Sequence, residues 1–122
     1  MCKMLLSINP EHVENIMLGT KRFEFRKVRC KAEIDKIIIY STAPIQQVVA
    51  EAEVKEIFEG SPEEIWKKTS EFAGISKQFF DKYYEGRSRA VAYEFGTIIR
   101  YNTPKPLSAF GVSNAPQSFV YV

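Results

Sequence analysis

The sequence has few of the residues that build metal and disulfide sites. It contains two cysteines, Cys2 and Cys30, and one histidine, His12, in 122 residues. The two thiols do not have the spacing of a metal site, and His12 cannot complete a zinc site with them unless carboxylates contribute. We therefore expect reduced structural thiols, no metal and no cofactor.

Long apolar runs and glycine-rich loops are also missing. No apolar run is longer than about five residues, whereas a transmembrane helix needs about 20. Residues 1–9 have neither the length nor the cleavage site of a signal peptide. A phosphate loop of the glycine-rich type is absent as well. These features predict a cytoplasmic protein without a membrane partner and without a P-loop nucleotide site.

Positive and negative charges nearly balance over the whole sequence, but they are unevenly distributed. The net charge is only +2. Residues 21–36 nevertheless hold seven Lys or Arg against three acids, and residues 87–105 hold four against one. A fold that joins these two segments would present a positive surface suited to a phosphate backbone. The alternative is that both segments are ordinary solvated faces.

The stretch that organises the chain is residues 19–26, Gly-Thr-Lys-Arg-Phe-Glu-Phe-Arg. A glycine directly after a periodic apolar segment typically ends a helix. The alternation that follows predicts a strand with Arg22, Glu24 and Arg26 on one face and two buried phenylalanines on the other. We expect Lys21, at the corner, to turn toward Glu24. The simpler interpretation is an exposed ion pair, which contributes little to stability.

The rest of the pattern predicts an α+β fold in one domain spanning residues 1–122. Capping residues and glycine stops predict helices over 10–18, 61–73 and 76–85. Strands are predicted near 4–8, 22–26, 36–42, 47–57, 89–101 and 117–122, with an ordered loop over 104–116. Because helices separate strands that are distant in sequence, we predict a small mixed β-barrel with flanking helices, not a doubly wound sheet.

Two further features have competing interpretations. His12 faces away from the apolar stripe of its helix, which favours an exposed polar residue over a catalytic base. The aromatic residues Phe79, Phe80, Tyr83 and Tyr84 recur at helical spacing, which is more typical of core than of a base-stacking platform.

Four short motifs occur in order along the chain: Leu-Ser-Ile-Asn-Pro near the start, Gly-x-Lys-x-x-Glu-x-Arg at residues 19–26, Ile-Ile-Ile-Tyr-Ser at 37–41, and Pro-Gln-Ser-Phe at 116–119. With these motifs the chain resembles the ASCH domain family of the PUA-like superfamily. The resemblance implies a β-barrel with a cleft beside the motif and an RNA-related role. Some small members are N4-acetylcytidine amidohydrolases, whose motif is similar at Lys21 but has Thr in place of Glu24. Others are associated with ribonuclease activity.

The first functional hypothesis is a module that binds RNA or a modified nucleotide. Lys21 and Arg26 would meet phosphate or a base edge, and Glu24 would accept from an exocyclic amine or hold Arg26 in place. Tyr40 offers a stacking face, for which core packing is the alternative, and Ser41 offers a hydroxyl. Gln117 and Ser118, in the C-terminal segment that matches the family, complete the predicted ligand-binding set.

The alternative hypothesis is a small hydrolase that uses the same cleft on an amide or a phosphodiester. Lys21 and Glu24 would then be the catalytic residues. An ionised Glu24 is expected to raise the pKa of Lys21, so we assign Glu24 as the base and Lys21 as the electrostatic stabiliser. A third class is an adaptor for a protein partner, which would need the rings of Phe79 to Tyr84 to be exposed.

Overall fold

The computed structural model describes residues 2–122 as a mixed sheet with three α-helices. The strands are β1 (Cys2–Ile8), β2 (Phe23–Arg26), β3 (Ile34–Ser41), β4 (Gln47–Gly60), β5 (Ala90–Lys105) and β6 (Phe119–Tyr121). The helices are α1 (Pro10–Leu18), α2 (Pro62–Thr69) and α3 (Lys77–Tyr83), with short 3-10 turns at Ser70–Phe72 and Leu107–Phe110.

The helices begin and end where local chemistry dictates. The side chain of Asn9 caps α1 by accepting from the Glu11 backbone N–H at 2.9 Å, and Gly19 ends the helix with a φ of 84°. At α2, Ser61 and Glu64 form a reciprocal capping box, which satisfies two backbone donors of the first turn. All three predicted helices are confirmed, although the last turn of the second is a 3-10 turn.

The strands form one six-stranded sheet in the order β2-β5-β4-β3-β1-β6. Strands β1 and β3 are parallel, whereas the other neighbours pair antiparallel. The sheet curls into a half-barrel. This topology confirms the predicted α+β class with a small mixed barrel-like sheet and excludes a doubly wound arrangement.

Three groups of buried side chains hold the sheet together. One group lies between the sheet and α1 and includes Ile16 and Ile37. A second lies under α2 and α3 and includes Phe25 and Phe80. The third, around Leu5, is covered by residues of the C-terminal segment. Helices α2 and α3 therefore pack beside strand β2, whereas α1 packs against side chains of β1 and β3.

One segment differs from the sequence-based prediction, and one finding concerns membrane-spanning helices. The predicted loop over 104–116 is partly wrong, because β5 extends to Lys105 and residues 107–110 form a 3-10 turn. In residues 2–122, no helix has the length and apolar character needed to cross a bilayer.

Candidate functional site

A cleft of about 180 Å³ opens where the end of β1, the start of α1, strand β2 and helix α3 meet. Its wall combines charged groups with aromatic and aliphatic side chains. The lining residues are Ser7, Ile8, Asn9, His12, Lys21, Glu24, Phe25, Arg26, Ile75, Phe79 and Tyr83. The predicted convergence of Lys21, Glu24 and Arg26 on one pocket is thus present in the structure.

Lys21 is almost completely buried, with 2% of its surface exposed. After Gly19 the chain turns sharply, and the backbone N–H of Lys21 donates to Asn15 O at 3.1 Å. The Lys21 ammonium then donates to the Ala73 carbonyl at 2.9 Å and lies 4.9 Å from the centroid of the Phe25 ring. The turn after Gly19 therefore places the Lys21 side chain in the cleft, next to the ring of Phe25.

Burial lowers the pKa of Lys21. Desolvation lowers the pKa of Lys21, and the neighbouring Arg26 lowers it further, whereas Glu24 opposes both. Glu24 raises the pKa of this lysine, as the sequence led us to expect, but burial outweighs it and the net shift is downward. The free energy needed to remove the ammonium from water is larger than the attraction of one nearby carboxylate.

Glu24 and Arg26 form a close ion pair on strand β2. The Arg26 Nη2 donates to Glu24 Oε2 at 2.7 Å, and the two side chains are 14% and 10% exposed. The same nitrogen donates to the Ser7 carbonyl at 3.1 Å, which ties β2 to the end of β1. The simpler interpretation as an exposed pair is wrong. Because the pair is largely desolvated, removal of either partner would leave a costly unpaired charge.

Arg22 does not belong to this group. We predicted that it shares a face with Glu24 and Arg26, but it precedes the first residue of β2 and is exposed. Its guanidinium lies 4.1 Å from the centroid of the Phe72 ring. The turn after Gly19 breaks the period-two alternation at this point, so Lys21 takes the place in the cleft that alternation assigned to Arg22.

His12 is one of the cleft residues that sequence reasoning missed. It was predicted to be exposed, but it is half-buried and its ring meets that of Phe79 edge-on, with 5.8 Å between centroids. Burial and the charge of Lys21 lower the pKa of His12, whereas Glu24 and Glu11 oppose the change. No local signal marks this role, because the covering ring belongs to a helix that is remote in sequence.

Two buried nitrogens of the cleft residues have no hydrogen-bond partner within residues 2–122. They are Nδ1 of His12 and Nε of Arg26. Buried polar groups are nearly always paired, and an unpaired one costs about 1–3 kcal/mol. A polar ligand bound in the cleft would supply hydrogen-bond partners for these two nitrogens.

The aromatic residues of helix α3 and its C-cap residue Tyr84 are divided between the core and the cleft. Phe80 and Tyr84 are buried, as predicted for core residues. Phe79 is 51% exposed, and both Phe79 and Tyr83 line the cleft. The prediction of a core stripe is confirmed for two of the four rings and wrong for the exposed Phe79.

The remaining predicted ligand-binding residues do not line this cleft. Tyr40 and Ser41 are buried at the end of β3, where Tyr40 packs with Leu5 and Val48, as its alternative interpretation expected. Gln117 and Ser118 are exposed in the C-terminal segment.

That segment is nevertheless attached to the rim of the cleft. Ser7, which lines the cleft, donates from its backbone N–H to Ser118 O at 3.4 Å and from its Oγ to Pro116 O at 2.7 Å. Pro116 and Ser118 therefore lie next to Ser7, whose carbonyl accepts a hydrogen bond from Arg26.

Comparison with protein families identifies the domain type. The ASCH domain model matches residues 6–105. A large ribosomal subunit protein uL22 of Ureaplasma parvum is 28% identical over 120 residues, which cover 98% of this chain but 39% of that protein. An ASCH domain-containing ribonuclease of Zymomonas mobilis is 31% identical over 90 residues, covering 73% of this chain and 61% of the relative. The chain thus spans well under two thirds of the first of these relatives.

Solved structures agree with this result. A crystal structure of ASCH from Zymomonas mobilis superposes with a TM-score of 0.88 and 26% sequence identity, covering 98% of this chain and 87% of that one. A mutant of that protein gives the same TM-score at 25% identity. The half-barrel and its flanking helices are therefore shared across nearly the whole of this chain.

Proposed function

The chain belongs to the ASCH domain family, and we propose that it binds RNA or a modified nucleotide in the cleft lined by Lys21, Glu24 and Arg26. Lys21 and Arg26 meet phosphate or base-edge acceptors, and Glu24 holds Arg26 in place. Relatives that are named as a ribosomal protein and as a ribonuclease support an RNA-related role.

The observation that carries this proposal is the surplus of hydrogen-bond donors in the cleft. The Lys21 ammonium has three N–H donors and uses one on Ala73 O. The Arg26 Nε has no acceptor within residues 2–122. The only cleft carboxylate in the described chain, Glu24, already accepts from Arg26. A ligand rich in acceptors, such as a phosphate or a base carbonyl, would satisfy these donors.

The dimensions of the cleft favour a small group. Its volume of about 180 Å³ is below the roughly 300–1,000 Å³ of sites for drug-sized ligands. One unpaired base or one phosphate suits this space, whereas a duplex does not. Sequence-specific RNA recognition mostly targets such unpaired bases.

A salt titration tests binding. Labelled single-stranded RNA is titrated with the protein at low and at moderate salt. Since phosphate contacts release counterions, we expect affinity to fall as salt rises. Affinity that is absent at low salt, or that does not respond to salt, contradicts the proposal.

A hydrolase is the second candidate, and His12 favours it. This imidazole lines the same cleft as Lys21, has a lowered pKa and leaves Nδ1 without a partner in residues 2–122. A neutral imidazole is a suitable general base, and a lysine ammonium can stabilise developing negative charge. The reaction would be cleavage of a phosphodiester or of an amide such as that of N4-acetylcytidine. The sequence predicted Lys21 and Glu24 as the catalytic pair with Glu24 as the base, and His12 is a second candidate for the base.

The substitution Glu24→Gln distinguishes the two candidates. It keeps the size of the side chain but removes the charge that holds Arg26. For a binding module, we expect RNA affinity to weaken by about 1–3 kcal/mol, the range of a charge-assisted hydrogen bond. For an enzyme with Glu24 as base, turnover should fall by about 10²–10⁴-fold while affinity changes little.

The matched control is Glu51→Gln. Glu51 also accepts from a cation at 2.7 Å, namely Lys36, but it is not among the residues that line the cleft. Hydrolysis of N4-acetylcytidine and of a mixed RNA is measured beside binding. Wild-type turnover that collapses only in Glu24→Gln, with affinity intact, would replace the binding module by the hydrolase.

A further inference from the structure

His12 lies beside the charged residues of the cleft, and two hydrogen bonds hold its segment there. The Arg26 Nη2 donates to the Ser7 carbonyl at 3.1 Å, and the Lys21 N–H donates to Asn15 O at 3.1 Å. His12 lies between Ser7 and Asn15 in the chain, so its segment is fixed at both ends to the segment that carries Lys21 and Arg26. The side chains of His12, Lys21 and Arg26 all line the cleft.

These three side chains have unused hydrogen-bonding capacity. Nδ1 of His12 and Nε of Arg26 are buried and have no partner in the part of the chain that the structure describes, residues 2–122. The Lys21 ammonium gives one of its three N–H donors to Ala73 O. A phosphate at the end of a strand offers three acceptor oxygens, whereas an internal phosphodiester has two oxygens outside the chain. A terminal phosphate therefore matches the three side chains better than an internal phosphate or a single base carbonyl does.

The charge of the cleft favours the same ligand. Arg26 is paired with Glu24 at 2.7 Å, so Lys21 supplies the net positive charge of the cleft lining while His12 is neutral. An internal phosphate carries one negative charge, but a terminal phosphate carries roughly 1.5–2 at pH 7. A proton on His12 would supply the second positive charge and would make Nδ1 a donor.

The surroundings of His12 disfavour that proton in the free protein. Burial and the charge of Lys21 lower the pKa of His12, whereas Glu24 and Glu11 oppose them. His12 is also the third residue of α1, and the N-terminal end of a helix disfavours a cation.

Helix α3 contributes no charge to the cleft. Its two cleft-lining residues are Phe79, whose ring meets that of His12 edge-on at 5.8 Å, and Tyr83. Burial raises the pKa of Tyr83 above its usual 10.0, so this phenol is neutral near pH 7. Any further negative charge that stabilises a protonated His12 must therefore come from the ligand.

We propose that the cleft recognises the terminal phosphate of an RNA strand and that His12 takes up a proton when this phosphate binds. The proton comes from solution, and no covalent bond of the ligand changes. This inference rests on the proposed function and deepens it, because it names the phosphorylated end of a strand as the preferred ligand. It also makes binding depend on pH near neutrality.

The test compares three labelled single-stranded RNAs of one sequence, each of about eight nucleotides. One carries a phosphate at its 5′ end, one carries a phosphate at its 3′ end, and one has hydroxyls at both ends. Calorimetric titration in two buffers of different ionisation enthalpy counts the protons taken up at pH 7. The variant is His12→Gln, and the control is Lys105→Gln, because Lys105 is an exposed cation that does not line the cleft.

We expect at least one phosphorylated RNA to bind wild-type protein several-fold more tightly than the hydroxyl-ended RNA, with net proton uptake. Its affinity should rise as pH falls from about 8 to about 6.5, because the complex binds a proton more tightly than the free protein. His12→Gln should lose the proton uptake and most of the preference, whereas Lys105→Gln should keep both. In the wild-type complex, the NMR signal of His12 should titrate at a higher pH than in the free protein.

Each contrary result has a distinct meaning. Equal affinity for all three RNAs overturns the terminal-phosphate site but leaves the proposed function intact. Proton uptake that persists in His12→Gln places the proton on Lys21 or on the phosphate and overturns the role of His12. If that variant does not fold, the wild-type NMR titration decides, and an unchanged His12 midpoint in the complex overturns the same role. Wild-type protein that binds none of the RNAs overturns both proposals.

Discussion

At the scale of single residues, the position of Lys21 depends on the absence of a side chain at Gly74. A Cβ built on Gly74 would lie 2.4 Å from the Lys21 Cβ and 2.6 Å from its Cγ. Gly74 also has a φ of 70°, which an L side chain rarely adopts. Lys21 is thus held between Gly74 and the ring of Phe25, with its ammonium on Ala73 O.

The substitution Gly74→Ala should therefore lower the free energy of unfolding by more than backbone strain alone does. Gly111→Ala is the control, since Gly111 has a φ of 73° but no atom within 4 Å of its Cβ position. We expect the control to lose about 1–2 kcal/mol of unfolding free energy from the left-handed conformation alone. Gly74→Ala should lose clearly more and should weaken ligand binding, as measured by urea unfolding and titration. Equal losses in both variants would show that Lys21 relaxes freely.

His12 should make the stability of the protein depend on pH. Its pKa is lowered from 6.5 in the fold, so below that value the unfolded chain binds more protons than the folded protein. The contribution of His12 to stability is therefore complete above pH 6.5 and is lost as pH falls through 6.5 toward the lowered pKa. Urea unfolding between about pH 7.5 and 5 should show this loss.

The control for this measurement is His12→Gln, which should lack the His12 part of the pH dependence. Because His12 is the only histidine in the sequence, its imidazole gives one titrating NMR signal in the folded protein. A midpoint at or above 6.5 for that signal would contradict the prediction.

At the scale of elements, helix α3 has two faces with different tasks. Phe80 is 1% exposed and lies edge-on to Phe25, with 5.2 Å between ring centroids. Phe79, its neighbour in the same helix, faces the cleft and His12. The helix therefore holds the barrel with one face and builds the site with the other.

Alanine substitutions should separate these tasks. Phe80→Ala should reduce the free energy of unfolding by about 3–5 kcal/mol, the usual cost of emptying a buried phenylalanine site. Phe79→Ala should change stability by less than about 1 kcal/mol but weaken RNA binding by about 1–3 kcal/mol through lost base stacking. Thermal unfolding and titration of the two variants check this. If Phe79→Ala binds RNA as tightly as the wild-type protein, Phe79 is not part of the binding site.

At the scale of the whole molecule, the segment after β5 completes the fold. Family similarity covers residues 6–105, but Leu107, Phe110 and Val120 pack over the buried group around Leu5. Strand β6 also pairs with β1. We expect these residues to belong to one cooperative unit with the rest of the described chain.

Truncation after Lys105 tests this expectation. Exposure of Leu5 and its neighbours should lower the free energy of unfolding by roughly 3 kcal/mol or more, because each large buried side chain contributes about 1.5–3 kcal/mol. Removal of Val122 alone is the control, since it loses one backbone hydrogen bond to Lys3 O. An unchanged denaturation midpoint in the truncated chain would show that the unit ends at residue 105.

Prediction from sequence succeeded where neighbours in the chain decide the outcome. The cap at Asn9, the stop at Gly19 and the capping box at Ser61 are local interactions, so the helices were found close to their ends. Convergence of Lys21, Glu24 and Arg26 also followed from one short motif. Prediction failed for Arg22, because the corner after Gly19 interrupts the alternation that was extended through it.

The sequence alone thus determined the α+β class, the helices, the motif that supplies the cleft with its charges, and the family resemblance that the comparison confirmed. Only the tertiary structure decided that His12 and Phe79 face the cleft and that Tyr40 lies in the core. The physical reason is distance along the chain. Capping, alternation and charge spacing act over a few residues, whereas burial and the pKa of a group depend on side chains brought from other elements.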